Sequence, residues 1–289
     1  MSFKDTLFSV KRTLNCGSAV IDFNRPRVMG ILNLTPDSFY DGGRYMNEKD
    51  ILLRTGKMLE EGVDIVDVGA YSSRPGAGHI SPEEEKNRLT GALEALRKEH
   101  PGILISVDTF RADVASFVVN EFNVNIINDI SSGMMDPEMI SVVASLRVPY
   151  VMMHMKGTPR NMQVNPVYQD VTKEVLSFLA ERIRKAVDEG VNDIIVDPGF
   201  GFGKSLDDNY KMLRELELFR VLGYPVVVGL SRKSMVYKFL KLTPEEALNG
   251  TTALHTLALQ NGAGILRVHD VKEAIQTIRL WSQYQNAGK

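Results

Sequence analysis

Across 289 residues the chain has one cysteine and one tryptophan. A single thiol, Cys16, cannot close an internal disulfide or supply a cysteine metal cluster, so a reducing, cytoplasmic setting is expected. Long hydrophobic runs are missing too. No stretch approaches the roughly 18 to 20 apolar residues of a membrane span. The opening MSFKDTLFSVKRTLN lacks the uninterrupted apolar segment of a signal peptide. Neither sign of charge dominates: 34 Lys and Arg stand against 36 Asp and Glu, a net charge of −2. No nucleic-acid partner and no membrane partner are therefore expected, which leaves room for a local cationic pocket that takes a small anion. A Pro/Gly/Ser-rich linker, a composition shift and a close internal repeat are all absent. One domain over residues 1–289 is expected, with 1–26 as an N-terminal extension.

What is present is a rhythm. Short apolar runs at 28–32, 65–68, 104–107, 126–130, 150–153, 194–196, 226–230 and 265–268 lead to Asn33, Asp67, Asp108, Asn128, His154, Asp197, Ser231 and His269. The runs are largely continuous rather than alternating, the pattern of strands covered on both faces. Between them lie amphipathic segments at 48–61, 82–99, 111–121, 136–146, 170–189, 207–221, 244–261 and 271–285. Residues 13–23, TLNCGSAVIDF, read as a hairpin turning at Gly17-Ser18 and expected to plug one end of the core. The expected fold is α/β, a single-domain (β/α)8 TIM barrel with a short N-terminal β-hairpin, whose strand C-termini surround the active site. An open doubly wound sheet would need a glycine-rich dinucleotide loop after the first strand, and NLTPDSFYDGG stands there instead.

Two loops after early strands carry candidate ligand groups. Residues 30–43 are too long and glycine-rich for a minimal turn. Asn33 offers a neutral oxygen and Asp37 and Asp41 offer carboxylates, which suits magnesium shared with a substrate phosphate. The plainer alternative is a solvated turn. Residues 68–78 carry Ser72, Ser73, Arg74 and Pro75, where the guanidinium suits a carboxylate or phosphate, against an ordinary connection. Asp108 either caps the next helix or faces a ligand. Asn128, with donor and acceptor on one amide, can read the edge of a flat heterocycle.

The later motifs are similarly double-edged. The segment DPGFGFGKS at 197–205 is not a P-loop, because Pro198 stands where the first glycine is required. Phe200 and Phe202 on it either stack on an aromatic ligand or enter the core. Ser231-Arg-Lys-Ser234 and Arg267-Val-His269 follow the last two runs, where this fold often builds a phosphate site. Arg267 and His269 are read as two cations on one side of a strand, able to clamp a diphosphate. The bland alternatives are a solvated Lys233 and a satisfied polar end group at His269. Met152, Met153 and Met155 are most simply core, with Met153 also able to form an apolar wall.

Together MGILNLTPDSFYDGG, SSRPGA, SVDTF, INDIS, MMHMKGTP, DPGFGFGKS, GLSRKS and RVHDV, in this order, resemble the dihydropteroate synthases over most of the chain. The resemblance implies a transferase of folate biosynthesis and a sulfonamide target. It would join 6-hydroxymethyl-7,8-dihydropterin diphosphate to 4-aminobenzoate by an SN1-like substitution, giving 7,8-dihydropteroate and diphosphate. It puts Asp108, Asn128, Met153, Asp197 and Lys233 around the pterin. Asn33, Arg74, Arg267 and His269 would hold the diphosphate, with Mg2+ on Asn33 and Asp37 as a further candidate ligand. Ser73, Arg74, Pro75, Phe202, Lys233 and Ser234 would lie near 4-aminobenzoate. Lys233, Arg267, His269, Asp108 and Asp197 would be the catalytic set, a loop around 35–39 would close over both substrates, and the protein would be a homodimer. Many members read GESTRP where this chain has Ala70-Tyr-Ser-Ser-Arg-Pro75, so Tyr71 replaces an acidic residue and Ser73 a threonine. Asp67 carries less weight in this reading than the loop beyond it. A pterin-dependent methyltransferase would not need SSRPGA or SRKS, and a catalytically silent pterin-binding protein would be expected to lose Lys233, Arg267 or the first loop.

Overall fold

The structure, a computed structural model, describes residues 10–17, 19–35, 47–72, 80–159, 161–162 and 166–288. It opens with an antiparallel hairpin, β1 (Thr13–Asn15) and β2 (Val20–Asp22), in which Leu14 pairs with Ile21. The turn begins where Asn15 Oδ1 accepts the Gly17 N–H at 3.1 Å, an Asx turn, and Gly17 takes a left-handed φ of 78°. Then come β3 (Arg27–Asn33), β4 (Ile65–Gly69), β5 (Ile105–Asp108), β6 (Ile126–Asp129), β7 (Tyr150–Met153), β8 (Ile194–Asp197), β9 (Val227–Val228) and β10 (Ile265–Val268). These eight pair in parallel in the order β8-β7-β6-β5-β4-β3-β10-β9, and a Val196–Val226 bridge joins the two outer strands. The expected barrel is there.

Its strands explain the continuous apolar runs. Every residue of β4, β6, β7 and β8 is buried, because helices cover one face and the barrel interior the other. Val66, Ile105, Ile127, Ile194 and Leu266 pack outward with helix residues such as Leu89, Val114 and Leu179. Met29, Ile65, Ile126, Val151, Ile195, Val227 and Ile265 pack inward, on Leu14, Cys16 and Ile21 of the hairpin. The hairpin thus closes the N-terminal end of the barrel, each buried Leu or Ile contributing roughly 2 kcal/mol.

The helices are α1 (Glu48–Glu61), α2 (Pro82–Glu99), α3 (Ala112–Phe122), α4 (Met139–Leu146), α5 (Val171–Asp188), α6 (Leu206–Arg214), α7 (Ser234–Leu240), α8 (Leu248–Gln260) and α9 (Val271–Asn286). The Ser81 hydroxyl caps α2 through Glu84 N, and Ser205 with Asp208 forms a capping box on α6. The single helix expected over 207–221 is instead α6 followed by a 3-10 segment, Leu216–Leu222. Leu216 and Phe219 are buried there three residues apart, a spacing that lines up on a 3-10 helix and drifts on an α-helix. Residues 244–261 likewise begin with a 3-10 turn, Glu245–Ala247, before α8. Helix α7 was not expected: seven residues are too few for a periodic signal.

Strand register sets the site. Asn33 pairs with Gly69, Gly69 with Asp108, Asp108 with Asn128, and Met153 with Asp197. Three of the sequence's candidate polar ends, Asn33, Asp108 and Asn128, therefore stand level at the C-terminal mouth of the barrel, and Asp197 stands two residues further along, level with Met153.

Candidate active site

A carboxylate in the middle of a buried strand needs a partner, because an unpaired charge in an apolar interior is costly. Asp67, in the otherwise apolar β4, is fully buried. It accepts from Arg267 Nε at 2.7 Å and from Asn128 Nδ2 at 3.1 Å, with Arg267 Nη2 also 2.6 Å away. Arg267 Nη2 reaches Asp108 as well, at 2.8 Å. One guanidinium thus holds two carboxylates, and one carboxylate holds the guanidinium and the amide. Burial works against the Arg267 charge, but Asp67 and Asp108 outweigh it and raise its pKa above the ordinary arginine value. Burial raises the Asp108 pKa, Arg267 opposes that, and Asp67 adds to it. Asn33 Oδ1 and Asp108 flank Gly69, where a side chain would begin 3.5 Å from the one and 3.6 Å from Cβ of the other.

Across the mouth, Asp197 Oδ1 accepts the Gly199 N–H at 2.7 Å. The Lys233 ammonium donates to the Phe200 carbonyl and sits 4.6 Å from the centre of the Phe202 ring. Burial pushes the Lys233 pKa down to about 8, with Asp197 and Asp108 pulling the other way. Burial raises the Asp197 pKa, against Lys233. Phe110, Ile130 and Met153 form an apolar wall, with Tyr71, Met155 and Phe202 packed against it. The Tyr71 ring meets Phe110 edge-on at 5.0 Å, and the Arg111 guanidinium lies 5.4 Å from its centre. The methionine stripe therefore divides: Met152 is core, Met153 is wall, and Met155 packs beside it. The two phenylalanines divide as well, Phe200 fully buried in the main core and Phe202 at the mouth.

Other expectations are corrected. His269 is not a second cation. Its Nδ1 lies 3.0 Å from Ser231 Oγ, which also accepts the His269 backbone N–H. Burial, then Arg267, push its pKa down to about 3. A base that weak does not take a serine proton at neutral pH, so Ser231 and His269 are no nucleophilic pair. His154, the fifth strand end, is tied to Lys204 Nζ at 2.9 Å and packs edge-on against Phe178 at 4.9 Å. Asp108 is not a helix cap: the first N–H of α3, Ala112, donates to Asp136 at 2.8 Å. Asp129 is structural, accepting from Ser131 and Gly133 N–H groups and from the Tyr150 hydroxyl. Ser234 opens α7, with Lys233 at its N-cap. Asp37, Ser73, Arg74 and Pro75 lie outside the described residues. Sequence reasoning underweighted Asp67 and passed over Lys204, although a lone acid inside the run IVDVG was the available signal.

Fold and mouth define a class, a barrel enzyme that grips a small, flat, polar-edged ligand and works by electrostatics. The profile of the pterin binding enzymes matches residues 29–269. The chain is 40% identical to the dihydropteroate synthase of Haemophilus influenzae, over 95% of this chain and 99% of that one. Among solved structures it is similar to the Yersinia pestis dihydropteroate synthase in a sulfonamide drug complex, with a TM-score of 0.90 and 38% identity over 95% of this chain and 99% of that one. The Xanthomonas albilineans dihydropteroate synthase with 4-aminobenzoic acid gives 0.88 and 39% over 96% and 100%. This chain belongs to the dihydropteroate synthase family of pterin-binding enzymes.

Proposed function

We infer that the protein condenses 6-hydroxymethyl-7,8-dihydropterin diphosphate with 4-aminobenzoate to give 7,8-dihydropteroate and diphosphate. The observation that carries the reading is the ionic hub of Asp67, Arg267, Asp108 and Asn128 facing Asp197 and Lys233 across one mouth. Asp108 and Asp197 accept N–H bonds from the pterin, Asn128 reads its edge, and Met153 covers a face. Arg267 already satisfies two carboxylates and turns its remaining donor capacity to the diphosphate, with the His269 ring beside it. The carbon–oxygen bond to diphosphate breaks first. The positive charge that develops on the pterin methylene is stabilised by Asp67, Asp108 and Asp197, fixed in place before the reaction begins. The arylamine lone pair then forms the carbon–nitrogen bond, and its proton leaves. Phe202, Lys233 and Ser234 border the arylamine, and the same pocket would take sulfonamides.

Among the described residues no group of three or more His, Cys, Asp or Glu side chains could hold a metal ion. Asn33, at the strand end, offers one neutral oxygen to an ion shared with the diphosphate. Bound there, Mg2+ would neutralise charge on the leaving diphosphate. Homodimerisation is part of the same reading and is supported by the exposed Phe239 and Leu240 of α7 and Leu257 of α8. A cytoplasmic setting is supported by the free, buried Cys16.

The test is one assay of the purified protein with pterin diphosphate, 4-aminobenzoate and Mg2+, read by the mass of dihydropteroate. Product should require all of them. No product from the complete mixture overturns the reaction, and full turnover in metal-free buffer overturns the magnesium role alone.

A further inference from the structure

Lys204 is a buried cation that the reaction does not use. It is 5% exposed, and its ammonium lies 2.9 Å from His154 Nδ1, 2.9 Å from the Gly199 carbonyl, 3.1 Å from the Phe202 carbonyl and 3.3 Å from the His154 carbonyl. Its three protons are shared among four acceptors, from the loop after β7 and from the loop after β8. Those two backbones are in direct contact. A Cβ on Gly199, at φ 71°, would stand 1.9 Å from the His154 carbonyl oxygen, and one on Gly203 would stand 2.5 Å from that of Lys156. Carbonyl oxygens of the two loops converge on one point, and the ammonium is the positive charge between them. Burial pushes its pKa down to about 7, and Asp197 opposes that shift.

The same loop is gripped from its other face. The Phe200 carbonyl takes the Lys233 ammonium, and the Gly203 carbonyl takes the Tyr168 hydroxyl at 2.7 Å. Gly201 N donates to Asn209 at 2.7 Å. The carbonyls of Gly199, Phe200, Phe202 and Gly203 therefore point in turn to Lys204, Lys233, Lys204 and Tyr168. Where Lys204 holds the Gly199 and Phe202 carbonyls decides where Phe200 presents its own to Lys233, and where the Phe202 ring stands beneath that ammonium.

We propose that Lys204 is a positioning residue, which locks the 199–203 loop against the 154–156 loop and so places Phe202 and the Lys233 ammonium for the arylamine; this rests on the synthase reading. Asp108 and Asn128 are held separately by Asp67 and Arg267. Asp197 touches the loop through the Gly199 N–H, but two of the three polar pterin groups do not depend on it, so loosening the loop acts on the arylamine more than on the pterin.

The experiment compares Lys204→Met with the wild type in steady-state assays and calorimetry. KM for 4-aminobenzoate should rise about ten-fold, the effect of losing a charge-assisted tether, while pterin diphosphate affinity stays within about three-fold. An unchanged arylamine KM in the folded variant overturns the proposal, as does an equal loss for both substrates. Should Lys204→Met fail to fold, His154→Leu and His154→Asn decide it. The leucine removes one acceptor and should raise the arylamine KM, and the asparagine, whose amide oxygen can stand where Nδ1 does, should restore it. Equal behaviour of the two variants overturns the proposal. A wild type that makes no dihydropteroate counts against the reaction itself and is seen before any variant is compared.

Discussion

The coupling between Asp67 and Arg267 can be measured directly by a double-mutant cycle. Asp67→Asn keeps the shape at the hub and removes its charge, leaving Arg267 with Asp108. Breaking one side of a buried ion pair costs about 3–5 kcal/mol. Arg267 is 20% exposed and keeps a second carboxylate, so the expected cost is nearer about 2 kcal/mol, by the same reasoning. With an unfolding entropy of about 2.1 cal/mol/K per residue, that lowers the melting temperature of a chain this size by roughly 3 °C. Arg267→Met should cost more, about 3–5 kcal/mol, because Asp67, Asp108 and Asp197 are then left converging without their guanidinium. In the double variant one of those carboxylates is already neutral, so its cost should fall short of the sum by about 2 kcal/mol. Denaturant unfolding of the four proteins gives the stability terms. Calorimetry with pterin diphosphate should show about ten-fold weaker binding to Asp67→Asn, since Asn128 and Arg267 lose their shared anchor. Costs that add to within about 0.5 kcal/mol, or pterin affinity at the wild-type level, would refute the hub.

Two further expectations concern stability. His154 and His255 are nearly fully buried and their pKa values are pushed down by burial, to about 3 and about 4. The unfolded chain binds those protons first, so stability is full above the ordinary histidine pKa of about 6.5 and falls with pH below it, by up to about 1.4 kcal/mol per pH unit for each. Burial raises the Asp108 and Asp197 pKa values, and these oppose the histidines. The difference in denaturant midpoint between pH 7.5 and 5.5 is therefore read against His255→Gln, which should lower it; an unchanged difference in that variant would show that the His255 ring is not held neutral. Gly199→Ala combines a left-handed φ with a Cβ 1.9 Å from a backbone oxygen, and should cost at least about 3 kcal/mol. A thermal midpoint within a degree of wild type would mean that the two loops do not abut.

The scaffold and most of the mouth were legible because they depend on local pattern. Eight buried runs, each closing on a polar residue, follow from strands covered on both faces, and motif order carried the family. The same pattern placed Asp108, Asn128 and Asp197 at strand ends on one side of the barrel before any contact was known. Helix α7 and the 3-10 turns were not legible, since seven residues or fewer leave no period to detect.

What the chain could not show by itself is which groups share a charge. Arg267 meets Asp67 across 200 residues of sequence, and Lys204 meets His154 across 50. His269 was read as a cation because histidine is one at modest acidity; burial and the neighbouring Arg267 make it neutral, and neither is visible in RVHDV. The sequence by itself determined the barrel, the order of its polar ends and the family. Only the tertiary structure decided their protonation, the split between Phe200 and Phe202, and the weight of Asp67 and Lys204. Charge states depend on burial and on partners brought together by strand register, and those distances exist only once the barrel has closed.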